Sequence, residues 1–279
     1  MQRKNRCAGS TVTSVLLALF LAIFTISTVY VFWVKRWWFP PAITSVGHDI
    51  DSQFHRTLVI TGIVFVLSQL GLAWAVWRFR DRGQRAVYSE GNQVMEVLWT
   101  MATLILFVGL GLYAERAWAE NHFREAAPGA LQIEVTGMQF TWDFRYAGPD
   151  GKFGRLDPAL VNSAGGNPLG LDPNDPAGKD DVVSPVMAVP VGREVELLIR
   201  SQDVTHSFFV RELRLKQDAV PGMLIHIHFR AEEITPPDKP LEILCAELCG
   251  LGHYKMHSFL SVMSEADFEK WLKDQAASQ

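Results

Sequence analysis

The sequence predicts a membrane-anchored all-β protein, with transmembrane helices at the N-terminus and a β-rich domain after them. Three observations carry this. Uncharged apolar runs cover Val12–Val34, Thr57–Trp77 and Val97–Ala114. At ~1.5 Å per residue the first two are long enough to cross a bilayer, and the third reaches with its flanking turns. From Leu131 the pattern changes to short stretches in which apolar and polar residues alternate, the period of a half-buried strand. Gly, Pro, Asn and Asp separate those stretches, as turns do in a β-sandwich or barrel. The expected organisation is an N-terminal apolar segment and linker over 1–56, a helical hairpin over 57–120 and an extracytoplasmic β-domain over 121–279.

The first run follows Arg3, Lys4 and Arg6. A positive leader before an apolar core fits a cleaved secretory signal. The run is long for a signal core, no clear small-x-small site closes it, and Lys35-Arg36-Trp37-Trp38 follows as an interfacial anchor would. These features favour a retained extra helix before the hairpin. Pro40-Pro41 then breaks the chain, and the polar segment Gly47–Arg56 reads as a linker. Arg78, Arg80, Arg82 and Arg85 follow the second run and place that loop in the cytoplasm. Everything after the third helix then lies outside. Lys35 and Arg36 also fall outside, against the positive-inside rule. Glu96 opens the third helix, where the macrodipole favours a carboxylate.

In the β-domain, the segments 131–136, 194–199, 207–210, 223–229, 241–244 and 259–262 read as strands, and Gly137–Tyr146 as an aromatic strand. The stretch 147–185 is rich in Gly, Pro, Asn and Asp and reads as a loop insert. Its Asp172, Asp175, Asp180 and Asp181 lack EF-hand spacing and read as turn residues. Its length suits a contact surface or a mobile segment. Ser264-Glu265-Ala266-Asp267 caps a terminal helix running to about Asp274.

With 279 residues and a net charge of −4, the chain is large enough for an anchor and one moderate domain, and nothing in it calls for a nucleic-acid partner. Of three cysteines, Cys7 lies in the leader and two lie in one loop, so no disulfide framework is expected. No C-x-x-C-H occurs, so no c-type haem is attached covalently. The chemistry concentrates in Cys245-Ala246-Glu247-Leu248-Cys249-Gly250-Leu251-Gly252-His253-Tyr254-Lys255-Met256. Thiolate, imidazole and thioether form a soft donor set suited to copper. Gly250 and Gly252 let the backbone wrap tightly. Zinc would want a closed tetrahedral set of N and S ligands, and the thioether argues against it. Leu248, Leu251, Phe208 and Phe209 are candidates for a dry apolar shell. His226 and His228 share a strand face. Without further ligands nearby they read as ordinary histidines.

The loop, C-x-E-x-C-x-x-x-H-x-x-M, resembles the binuclear copper (CuA) loop of subunit II of the haem-copper, cytochrome c oxidase family. The resemblance implies a cupredoxin-like Greek-key barrel. It implies that Cys245 and Cys249 bridge two copper ions, with His253 and Met256 as terminal ligands and Glu247 giving a backbone carbonyl. The family's D-x-x-H-S stretch corresponds to Asp203-Val204-Thr205-His206-Ser207 and makes His206 the second histidine. By the same resemblance the Glu247 carboxylate faces a magnesium ion at the boundary with subunit I, and Glu96, in E-x-x-W-T, lies at the mouth of a proton channel. Gly137–Tyr146 is similar to the family's G-x-Q-W-x-W-x-x-x-Y segment, whose first Trp receives electrons from cytochrome c. Phe140 stands at that position here, and Trp142 keeps the second. Lys216–Gly222 resembles K-x-D-A-x-P-G, but Met223 replaces the Arg that follows, so a contact to haem propionates is not implied. Asp203 and Asp218 are candidates for attracting a lysine-rich cytochrome c.

The implied partners are subunits I and III, a c-type cytochrome and membrane lipid. The implied role is to pass electrons to haem in subunit I, where oxygen is reduced and protons are moved. The implied location is the inner membrane, with the C-terminal domain on the periplasmic side. A nitric oxide reductase with the same copper subunit is the nearest alternative. A copper carrier would lack the spanning helices, and a quinol oxidase subunit would lack the ligands.

Overall fold

The computed structural model describes residues 10–36, 38–82, 87–88 and 90–278. Arg3, Lys4, Arg6, Cys7, Trp37 and Arg85, invoked above, lie outside the described residues. The chain divides into two compact units, Met1–Phe39 with Ser52–Tyr113, and Pro40–Asp51 with Ala114–Gln279.

The first unit is helical. Helix α1 (Thr11–Val34) starts where the Ser10 side chain accepts from the Val12 amide, and it stops at Lys35 in the left-handed region (φ 52°). Helices α2 (Ser45–Arg78) and α3 (Gln93–His122) follow, with α2 up to Asp51 and α3 from Ala114 belonging to the second unit. All three are long and apolar enough to span a membrane, and almost none of their apolar surface is buried within the chain. Such surface needs lipid or partner helices around it. Helix α2 begins at Ser45, so Gly47–Arg56 is not the linker that its polarity suggested. Those residues form the helix's first turns, and polar side chains among them pair with the β-domain, Asp51 with Arg214 and His48 with Glu232. At ~1.5 Å per residue α2 is about 50 Å long, well beyond the ~30 Å hydrocarbon core.

The second unit is a sandwich of two five-stranded sheets. The strands are β1 (Leu131–Met138), β2 (Thr141–Tyr146), β3 (Val182–Ser184), β4 (Met187–Pro190), β5 (Glu194–Ser201), β6 (His206–Val210), β7 (Leu215–Ala219), β8 (Ile225–Arg230), β9 (Leu241–Cys245) and β10 (His257–Met263). One sheet runs β3-β2-β1-β5-β8 and the other β4-β10-β9-β6-β7. The pairs β1/β5 and β4/β10 are parallel, as crossovers of a Greek-key fold require. Alternate residues of both sheets, among them Ile133, Val135, Phe144, Leu197, Phe208 and Ile243, interdigitate as one fully buried core. Helix α4 (Glu265–Ala277) is capped by the Ser264 hydroxyl, which accepts from the Asp267 amide, and it lays Phe268 and Trp271 on Tyr146.

Two parts of the sequence reading change. The aromatic segment 137–146 is a hairpin rather than one strand, turning at Gln139–Phe140. The 147–185 insert is not all loop, since Val182–Ser184 is β3 and pairs with β2. Its carbonyls and carboxylates meet Arg145, which is 1% exposed, on the outer face of the first sheet. Arg145 donates to Glu134 (2.7 Å), to the Gly154 carbonyl (2.7 Å) and to Asp181 (3.0 Å). The insert's turn aspartates cap its short helical turns, Asp157 on Ala159 and Asp175 on Ala177. Segment Pro40–Asp51 is also fixed to the barrel. Arg214 donates to Asp51 at 2.7 Å, and Thr44 donates to the Leu213 carbonyl.

Candidate metal centre

Cys245 ends β9, between β6 and β10, and the eleven residues to Met256 form the connection back into β10. The connection is closed at its base. The Cys245 amide donates to the Met256 carbonyl (3.2 Å), and the Ala246 amide donates to the Ser207 carbonyl (2.9 Å). His206, at the start of β6, is therefore set beside the loop although 39 positions separate it from Cys245.

The donor atoms converge. Cys245 Sγ lies 3.9 Å from Cys249 Sγ, 4.0 Å from His206 Nδ1 and 3.2 Å from the Glu247 carbonyl oxygen. Cys249 Sγ lies 3.7 Å from both His253 Nδ1 and Met256 Sδ. A metal bonded at about 2.3 Å to each of two donors in a tetrahedral arrangement holds them about 3.8 Å apart. The spacings thus suit metal ligation without rearrangement. His206, Cys245, Cys249 and Met256 are buried, while His253 is half-buried. The donor set is the soft one that suits copper.

The ligands are held by the residues behind them. Asp203 accepts from His206 Nε2 (2.8 Å), from the Val204 amide (2.7 Å) and, through its other oxygen, from the Gln139 amide (2.8 Å). That fixes the imidazole with Nδ1 toward the thiols. Gln139 Nε2 donates to the Cys249 carbonyl. Burial works against a charge on His206, but hydrogen bonds to Cys245 and Asp203 outweigh it and raise its pKa. Burial also opposes the Cys245 thiolate, yet His206, nearby backbone groups and His253 lower that thiol to about 6. Cys249 is pushed up to about 11, by burial and then by the Cys245 charge beside it.

Phe140 lies against the loop, 38% exposed. A Cβ on Gly252 would sit 2.3 Å from the Phe140 ring, and one on Gly250, at φ 132°, would sit 2.8 Å from Gln139 Nε2. A side chain at either position would have to push these neighbours aside. Trp142 is fully buried and packs edge-on to His206 (5.9 Å) and Phe208 (5.6 Å). Phe208 joins the shell behind the site, and Phe209 is half-buried. Leu248 and Leu251 do not join it. They stand 77% and 98% exposed, on the outside of the loop. Asp218 accepts from the Ser207 hydroxyl (2.7 Å) and from Lys216 (3.2 Å). The Glu247 side chain is exposed. Glu96 is exposed in the first turn of α3, after Asn92, whose side chain accepts from the Val94 and Met95 amides. His228 is buried against Glu194 and Arg124, and His226 pairs with Glu196. Sequence reasoning missed Gln139 as a support of the loop and Asp203 as the partner of His206. The D-x-x-H spacing was the signal for the latter.

Two families match the chain: cytochrome c oxidase subunit II, periplasmic domain, over residues 131–265, and cytochrome c oxidase subunit II, transmembrane domain, over 31–115. The alternative cytochrome c oxidase subunit 2 of Bradyrhizobium diazoefficiens is 36% identical, over 92% of this chain and 91% of its own. The cytochrome c oxidase subunit 2 of Cereibacter sphaeroides is 28% identical, over 84% and 78%. Among solved structures, the periplasmic domain of subunit II of cytochrome oxidase of Bradyrhizobium japonicum is similar at 27% identity, covering 54% of this chain and 97% of that one, with a TM-score of 0.39.

Proposed function

The chain belongs to the cytochrome c oxidase subunit II family, and we propose that it is the subunit through which electrons from a c-type cytochrome reach the oxidase. It is a subunit of a haem-copper oxidase and so a component of an oxidoreductase. It is a multi-pass inner-membrane protein with its cupredoxin-like C-terminal domain on the periplasmic side.

In this proposal His206, Cys245, Cys249, His253, Met256 and the Glu247 carbonyl hold two copper ions. The observation that carries it is the convergence of two thiols, two imidazoles and a thioether at 3.7–4.0 Å. When bound, the copper pair supplies a site for one electron shared between two metals. The chain's own part is to keep the ligands fixed. The rigid barrel, the Asp203–His206 contact and the Gln139–Cys249 contact restrict their movement, which keeps the cost of reorganisation low.

Electrons arrive at the face carrying Phe140, the exposed aromatic next to the loop, with buried Trp142 behind it. Asp203 and Asp218 already have internal partners. Burial works against the Asp203 charge but hydrogen bonds outweigh it, and the Ser207 hydroxyl holds the Asp218 carboxyl down against a smaller effect of burial, so both pKa values are lowered and both groups remain anionic near neutral pH. Their part in docking a basic cytochrome is a fixed local field rather than direct pairing. The exposed Glu247 carboxylate faces subunit I and contributes to a magnesium site there. Glu96 stands at the uptake side of a proton path. The electron goes on to haem in subunit I, in a complex that also contains subunit III, and oxygen is reduced in subunit I.

Nitric oxide as terminal substrate is not favoured, because relatives at 36% and 28% identity carry the oxidase name. The test is purification of the intact complex, followed by turnover with reduced c-type cytochrome. Oxygen consumption that disappears in Cys249→Ser supports the reading. A wild-type complex that consumes no oxygen with any c-type donor sinks it.

A further inference from the structure

Helices α1 and α2 leave between them a groove of about 790 Å³, walled by Val29, Phe32, Trp33, Leu58, Val59 and Val66. Gly62 forms part of its lining, and a Cβ there would meet nothing within 4 Å, so the groove is open above it. One end of this apolar channel is different. Lys35, Trp38 and His55 close it. The Lys35 ammonium stands 5.4 Å over the Trp38 ring, whose centre is 5.5 Å from that of His55. Both helices are membrane spans by length and composition.

The dimensions select the occupant. From His55 to Leu67, α2 rises ~18 Å, close to the depth of one leaflet, half of the ~30 Å hydrocarbon core. The groove is thus the length of one acyl chain. A transmembrane helix is ~10 Å wide and crosses both leaflets, about twice the length of this groove. The charge points the same way. Lys35 lies on the outer side of the membrane, where the positive-inside rule disfavours a cation. A lysine that keeps its stem on apolar wall and its ammonium at headgroup level fits an anionic lipid headgroup.

We propose that the α1–α2 groove holds one acyl chain of an anionic phospholipid, with the lipid phosphate paired to the Lys35 ammonium. This site depends on the membrane anchor alone and is independent of the copper reading. The full chain in its membrane complex is reconstituted into phosphatidylcholine vesicles. These carry a trace of either phosphatidylglycerol or phosphatidylcholine with a photoactivatable acyl chain. Labelled peptides are then mapped. Phosphatidylglycerol should label Val29–Val34 and Leu58–Leu67 about fivefold more than phosphatidylcholine, the preference expected of one lysine at an anionic lipid. Lys35→Gln, a change at an exposed position, should bring the two lipids to parity. Gly62→Phe, which fills the groove, should remove labelling of these peptides by both lipids and leave α3 labelled as before. Three results overturn the proposal. These are equal labelling by the two lipids in the unaltered chain, cross-linking of the groove to a partner polypeptide instead of lipid, and a mature chain whose mass lacks α1.

Discussion

Replacing Asp203 by alanine tests how far copper binding depends on the residues behind the ligands. Asp203 accepts from the buried His206 Nε2 at 2.8 Å and from the Gln139 and Val204 amides at 2.8 and 2.7 Å. A buried donor left without a partner costs about 1–3 kcal/mol. His206 is 0% exposed but the Asp203 side chain is 34% exposed, so water entering the space left by the carboxylate offsets part of the loss and the cost falls toward the low end. The imidazole also becomes free to rotate Nδ1 away from the thiols. Loss of such a support lowers metal affinity by ~10–100-fold. Burial opposes the Asp203 charge, but hydrogen bonds from His206, Gln139 and Val204 outweigh it and hold its pKa below 3.8. The stabilisation from a lowered carboxylate is complete above the unfolded pKa and is lost as pH falls through the folded one. The full effect is therefore present at neutral pH. Competition between the purified chain and a copper chelator near pH 7 measures it, with thermal unfolding as a check on folding. Asp203→Asn, which still accepts from His206 but cannot take the Gln139 amide on its second atom, should fall between alanine and the native residue. A folded Asp203→Ala chain that holds copper within threefold of the native affinity would refute the reasoning.

Arg145→Met leaves the Glu134 and Asp181 carboxylates buried without their cation, and should cost about 3–5 kcal/mol. It should also expose the 147–185 insert to protease, whereas a mobile insert would be cut equally in both chains. Burial raises the Asp143 carboxyl from 3.8 to about 6. The native state therefore holds a proton that the unfolded state releases between those pH values, and the resulting penalty is absent below 3.8 and complete above 6. Asp143→Asn should gain on the order of 2–3 kcal/mol at pH 7 over pH 3.5 relative to the native chain, and parallel pH–stability curves would rule the effect out. Gly252→Ala drives a methyl into Phe140 and should cost about 1–3 kcal/mol along with copper retention. Phe140→Ala should recover most of that loss, and additive effects of the two changes would break the link between Phe140 and the loop.

The parts of the fold that were legible in the sequence are those governed by local rules. Uncharged length marked the three helices, alternation marked β1, β5, β6, β8, β9 and β10, and the Ser264 cap marked α4. Strands β3 and β4 were missed because each is short and pairs with a strand remote in sequence, β3 with β2 and β4 with β10, and β7 was missed because Leu215-Lys216-Gln217-Asp218-Ala219 carries mostly polar residues although it pairs with its neighbour β6. The polar start of α2 was read as a linker because polarity reports solvent, not backbone conformation. Whether the insert is a contact surface or mobile stayed open in the sequence because its anchor, Arg145, lies on another strand. At the metal centre, spacing named the cysteines, His253 and Met256, and only the D-x-x-H-S resemblance named His206. Spacing could not show that Leu248 and Leu251 face solvent, since a turn's side-chain directions depend on dihedral angles that no residue pattern fixes.

Electron paramagnetic resonance of the purified oxidized complex, with copper counted per chain, bears most directly on the central claim that two thiolates at Cys245 and Cys249 join a metal pair. The account predicts two coppers in this chain and a seven-line hyperfine pattern from one electron shared between them, lost in Cys249→Ser. A single copper with a four-line pattern, or zinc with no signal from this chain, would contradict it.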